Sequence, residues 1–157
     1  MQQIKDGIYI TTEGIEALHR ESGKRSSKEV AEISQEIYEE LKRRYKQLNK
    51  DGATGVDSLI YTVERKIGKT EAIIKLADEL GLTIVCETKY AEFYRQRKED
   101  VNVVSIGELE QCFKWEGKRY NFHTVLVDEP TNAKRVRKAL GGILACSLCP
   151  VNILGVQ

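Results

Sequence analysis

Two short stretches carry side chains whose types and spacing could do chemistry together. The first, Glu64-Arg65-Lys66-Ile67-Gly68-Lys69-Thr70, ends in the Gly-Lys-Thr with which a phosphate-binding loop closes before its helix. Backbone amides at a helix start point at an anion, and the helix dipole adds to the attraction. Lys69 has the length to reach β- and γ-phosphates, and the Thr70 hydroxyl suits Mg²⁺. Gly68 lets the backbone approach phosphate with no Cβ in the way. The usual pattern also asks for a glycine five positions earlier, where this chain has Val63. The second stretch, Thr124-Val125-Leu126-Val127-Asp128-Glu129, is an apolar run that closes on two carboxylates. Asp128 suits a water-mediated contact with Mg²⁺, and Glu129 the polarisation of an attacking water. Each motif is common by itself. Their weight lies in the conjunction, each in the structural context its chemistry needs.

That context comes from alternating strands and helices. Residues 58–63 form a short apolar run that suits a buried strand, and residues 70–80 place Ile73, Ile74, Leu76, Ala77 and Leu80 on one helical face. Strands are then expected at 81–88, 101–106, 123–131 and 149–157, with helices at 89–99 and 132–140. Residues 107–122 read as a helix with a hairpin-like excursion at Glu116-Gly117. Strands that alternate with helices imply parallel pairing and an α/β sheet. Ligands of such sheets sit outside the carboxyl ends of the strands, where both motifs fall.

Ahead of this region, a strand is expected at Gly7–Ile10 and a short helix near Thr12–Glu21. Ser26 and Glu29 have the spacing of a capping box. Val30, Ile33, Ile37, Leu41 and Leu48 follow at helical spacing, so a long amphipathic helix runs to about Asn49. The chain therefore divides into an N-terminal helical extension, 1–50, packed on an α/β domain, 51–157. The basic run Lys42–Lys50 reads as a solvated helix end in preference to a nucleic-acid contact.

A chain of 157 residues, 41% hydrophobic and 31% charged, can bury a real core. A net charge of +1 gives no bulk reason for nucleic-acid or membrane binding. No apolar run approaches the roughly 20 residues that span a bilayer, and the N-terminus lacks a signal-peptide core. A cytoplasmic protein with no membrane association is expected, and Cys86, Cys112, Cys146 and Cys149 fit a reducing compartment. Cys146 and Cys149 make a lone CxxC. Zinc would need distant ligands from His123, Cys112 or Cys86, so small buried cysteines are the better reading. Arg135, Arg137 and Lys138 read as the polar face of a helix, and Phe113, Trp115 and Phe122 as core or a closing patch rather than a base-stacking platform.

With both motifs in place, residues 57–157 resemble the additional-strand catalytic-glutamate class of P-loop NTPases. Glu64-Arg65-Lys66-Ile67-Gly68-Lys69-Thr70 looks most like the Walker A loop of phage large-terminase ATPases and related helicases, often written Ser-Arg-Gln-x-Gly-Lys-Thr without the early glycine. Arg65 falls where those families carry an arginine. Val125-Leu126-Val127-Asp128-Glu129-Pro130-Thr131 resembles their Walker B strand with its catalytic glutamate. The resemblance implies a RecA-like P-loop three-layer fold with a mainly parallel sheet. It implies ATP and Mg²⁺ as cofactors. Arg65, Lys66, Ile67, Gly68, Lys69 and Thr70 would bind the nucleotide phosphates, and Thr70 and Asp128 would hold the metal. Lys69 and Glu129 would be catalytic, and Gln157, at the end of the last strand, would be a sensor or coupling residue.

The sequence holds no second RecA-like lobe, no nuclease domain, no adenine motif before the loop and no evident arginine finger. The expectation is a small stand-alone phage-like nucleotide-binding protein, whose site DNA, another protein or a second copy of the chain would complete. Three functions stay open: an ATP hydrolase, a non-hydrolysing binding or inhibitory protein on the same fold, and a nucleoside kinase. The kinase ranks third because a second CxxC and a nucleoside lasso are missing.

Overall fold

The structure is a computed structural model that describes residues 2–5, 8–10, 15–17, 26–62, 68–112, 123–144 and 151–157. Three short strands come first: β1 (Gln2–Lys5), β2 (Ile8–Ile10) and β3 (Ile15–Ala17). They form an antiparallel sheet in that order. The strand expected at Gly7–Ile10 is β2, but the helix expected near Thr12–Glu21 is replaced at its centre by β3. Ile15 pairs with Ile10, and Ala17 with Ile8. A helix this short is marginal in water, whereas a strand ladder satisfies the same backbone groups against a neighbour.

Helix α1 (Ser27–Asp51) starts as its capping residues dictate. Ser26 is extended, and its hydroxyl accepts the amide of Glu29 at 3.2 Å. Gly52 ends the helix at φ 61°, where its amide bonds to Asn49 and that of Ala53 to Leu48. That pair of bonds is a Schellman cap, which favours glycine for its left-handed backbone. Between the caps Ile33, Ile37 and Leu41 are fully buried.

In the basic run of α1, Arg43, Lys46 and Lys50 are exposed, as expected of a solvated end, and Arg44 departs from it. Arg44 is buried, donating to Glu40 at 2.9 Å and to the Leu59 carbonyl at 3.2 Å. The reason is the sheet edge beside it. Strand β4 (Asp57–Ile60) pairs on one side only, and Arg44 satisfies a carbonyl on its open side.

The remaining elements are α2 (Lys69–Leu80), β5 (Thr83–Cys86), α3 (Thr88–Arg97), β6 (Val103–Ser105), α4 (Ile106–Cys112), β7 (Thr124–Val127), α5 (Ala133–Leu144) and β8 (Asn152–Val156). The strand expected at 58–63 stops at Ile60, and Val63 lies outside the described residues. The strands form one five-stranded sheet in the order β4-β8-β7-β5-β6, every pairing parallel. An α/β architecture with a parallel sheet is therefore what the chain adopts.

Both faces of the sheet are covered, which is why β7 and β8 are buried throughout. Alternating side chains divide the core. Ile60, Ile84, Leu126 and Leu154 pack with α1, α2 and α3. Leu59, Val85, Val125 and Ile153 pack with α4 and α5. Gly155 faces Val127 in register, and a Cβ there would fall on the Val127 backbone. This close approach brings the carboxyl end of β8 hard against the strand that carries the acid pair.

Candidate functional site

Because all five strands run parallel, the segments after β4, β5, β7 and β8 gather on one edge. Helix α2 opens there. Gly68 precedes it at φ 79°, a left-handed backbone that favours glycine, and its carbonyl accepts the Ala72 amide at 3.1 Å. Gly68 is held from the side by α1: the Ser34 hydroxyl donates to its carbonyl at 2.8 Å. A Cβ on Gly68 would lie 2.6 Å from that of Ser34, so absence of a side chain also lets α1 close on the loop. Arg65, Lys66 and Ile67 lie outside the described residues.

The two sequence motifs meet at this edge. Lys69, buried in the first turn of α2, forms an ion pair with Glu129. Thr70 donates its hydroxyl to Asp128 Oδ2 at 2.7 Å. Asp128 is almost completely buried, and its Oδ1 accepts the amide of Glu129 at 2.9 Å. A third partner was not legible in the motifs. Tyr94, on the inward face of α3, donates its hydroxyl to the same Oδ2 at 2.8 Å. Burial pushes the Tyr94 hydroxyl upward, and the charge and hydrogen bond of Asp128 push the same way, so it stays a donor. The sequence held a signal for it: a tyrosine one turn from Ala91 on a buried face needs a partner for its hydroxyl.

The turn after β7 is tied to its neighbours. Thr131 donates its amide to the Asp128 carbonyl at 3.0 Å, and its hydroxyl accepts the Glu87 amide at 3.2 Å. Gln157 follows β8 and joins the edge in two ways. Its backbone bonds to Ile60, the last residue of β4, and to Thr62 just beyond it. Its side chain donates to the Thr131 carbonyl at 2.9 Å and accepts the Ala133 amide at 3.0 Å. Gln157 thus links the chain entering the lysine loop with the chain leaving the acid pair. Arg135 pairs with Glu87, and Arg137 pairs with Asp57 and donates to the Val151 carbonyl, so this face of α5 fastens neighbouring elements as well as meeting water.

The donor set bears on the metal expected from sequence. Among the described residues no cluster of three or more His, Cys, Asp or Glu could hold an ion unaided. What is present is a carboxylate and a hydroxyl, both oxygen donors. The partners of the Asp128 side chain are two hydroxyls and an amide, so its buried carboxyl oxygens are hydrogen-bonded by neutral groups. Thr70 gives its proton to Asp128 and keeps its oxygen lone pairs available. Mg²⁺ is commonly held by one or two protein oxygens together with substrate phosphates and water, and this pair fits that habit.

Cys86 is buried, with its thiol pushed up to about 11 by that burial against the opposing pull of Arg95. Cys146 and Cys149, the side chain of Cys112, and Phe113, Trp115 and Phe122 lie outside the described residues. Among the described residues no helix is long and apolar enough to cross a membrane. Comparison with protein-family models, with curated proteins and with solved structures gives no match for this chain.

Proposed function

We propose that the chain is a small P-loop protein that binds ATP with Mg²⁺ and hydrolyses it. The observation that carries this reading is the convergence of Lys69 and Thr70 with Glu129 and Asp128, from segments far apart in sequence. A second observation supports it. Strand β8 lies between β4 and β7, an extra strand of the kind for which the resembled class is named.

In this reading the amides opening α2 and the Lys69 ammonium bind the phosphates, so a nucleotide competes with Glu129 for the lysine. Thr70 and Asp128 would hold Mg²⁺, which when bound supplies neutralisation of charge on the phosphate oxygens. Glu129, released from Lys69, accepts a proton from the attacking water. Gln157 couples the two loops through its paired backbone and side-chain bonds. Arg65 and Lys66 would add charge to the phosphate cradle, and DNA or a partner protein would supply what the site still needs.

The test is equilibrium binding of ATP and GTP, with Mg²⁺ and with chelator, for the wild-type chain and Lys69→Ala. Binding that depends on Mg²⁺ and weakens about tenfold or more in the variant is expected, since a charge-assisted hydrogen bond contributes about 1.5–3 kcal/mol. No binding by the wild type, alone or with DNA, would sink the proposal. Binding without phosphate release would leave the non-hydrolysing alternative.

A further inference from the structure

We infer that Tyr94 is a positioning residue for Asp128, fixing the carboxylate that would hold the metal. This inference rests on the phosphate-loop reading above. Its starting point is the Oδ2 atom of Asp128, which accepts two hydroxyls at once, from Thr70 at 2.7 Å and Tyr94 at 2.8 Å. The other oxygen is tied back to the amide of Glu129. Three separate parts of the fold therefore converge on one carboxylate: the start of α2, the middle of α3 and the end of β7.

The two hydroxyls are not equivalent. Thr70 belongs to the helix start that would meet the nucleotide, whereas Tyr94 comes from a core position. Its ring is buried in the same core cluster as Ile84, Cys86, Ala91 and Val103 and lies edge-on to Phe93 at 5.3 Å. Lys98 reaches Asp78 at 3.3 Å, and Arg97 pairs with Glu71, so α3 is fastened alongside α2. The Tyr94 hydroxyl is thus fixed by the packing of its ring. Oxygen ligands held by outer hydrogen bonds keep their orientation, and loss of such a bond commonly weakens metal affinity about 10–100-fold.

The test titrates Mn²⁺, a spin-active substitute for Mg²⁺, into protein with ATP and reads free ion by electron paramagnetic resonance. Wild type, Tyr94→Phe and Lys69→Ala are compared, with ATP binding in chelator as a control. For Tyr94→Phe the metal midpoint is expected to rise about tenfold. Its chelator-measured ATP affinity should stay within about twofold of wild type, because its phosphate contacts are untouched. Lys69→Ala should instead weaken nucleotide binding with and without metal. An unchanged midpoint in folded Tyr94→Phe would overturn the inference and leave the phosphate-loop reading standing. A wild-type titration no different from that of Mn²⁺ with ATP alone would overturn both. The wild-type chain also offers a readout that does not depend on the variant folding. In ¹³C-tyrosine-labelled protein the Tyr94 Cζ resonance reports its hydroxyl bond and should shift when metal and ATP are added; a fixed resonance would overturn the inference.

Discussion

At Glu129 a single carboxylate serves two partners in the proposed reaction, Lys69 before phosphate arrives and water afterwards. Glu129→Gln removes the charge that competes for Lys69 and also removes the base. Nucleotide binding should hold or tighten, while phosphate release should fall about 10²–10⁴-fold, the usual contribution of general base catalysis. A matched loss of binding and turnover would remove Glu129 from the role of base. Glu40 allows a prediction about stability. Burial would raise its carboxyl, but hydrogen bonds from Arg43 and Arg44 and their charges outweigh that and hold it below the usual range. Its contribution is therefore present above the unfolded carboxylate pKa and is lost as pH falls through the lower folded value. Glu40→Gln should cost about 1.5–3 kcal/mol near neutrality, because it removes the charge from the hydrogen bonds that Arg43 and Arg44 make to Glu40. In urea melts from pH 7 to pH 3, the gap between variant and wild type should narrow toward the acid end.

Elements depend on contacts that no single residue declares. Helix α1 is the most legible of them, since Ser26, Glu29 and the apolar spacing announce both its start and its buried face. Ser26→Ala should cost about 1 kcal/mol, seen as a lower urea midpoint with unchanged m. Strand β8 is different. Its apolar run suggests a buried strand, but nothing local says that Gly155 must pass against the Val127 backbone. Gly155→Ala should therefore destabilise by about 3 kcal/mol or more, since backbone cannot yield as a side chain tip can. A near-neutral result in thermal melts would show that β7 and β8 can separate without loss. The misread third strand has a similar lesson: Ile15–Ala17 became a strand because β2 was there to pair with it.

For the whole molecule, ligand binding and stability are linked. A nucleotide that binds only the folded chain stabilises it by about 2.7 kcal/mol at a hundredfold excess over Kd. In a domain of this size that corresponds to a rise in Tm of roughly 5–10 °C. The rise should appear with Mg²⁺ and ATP in wild type and vanish in Lys69→Ala; equal shifts in both chains would place the nucleotide elsewhere.

The sequence by itself determined the pieces that depend on neighbours a few positions away: the caps of α1, the apolar strand runs, the lysine and threonine opening α2, and the acid pair closing β7. It also implied the parallel α/β sheet, because alternating strands and helices leave few other pairings. Only the tertiary structure decided that β8 would lie between β4 and β7, that Arg44 would turn inward to a sheet-edge carbonyl, and that Tyr94 would share an oxygen with Thr70. The physical reason is common to all three. Strand neighbours and buried polar pairs are chosen by long-range backbone ladders and packing, which leave no fixed spacing along the chain.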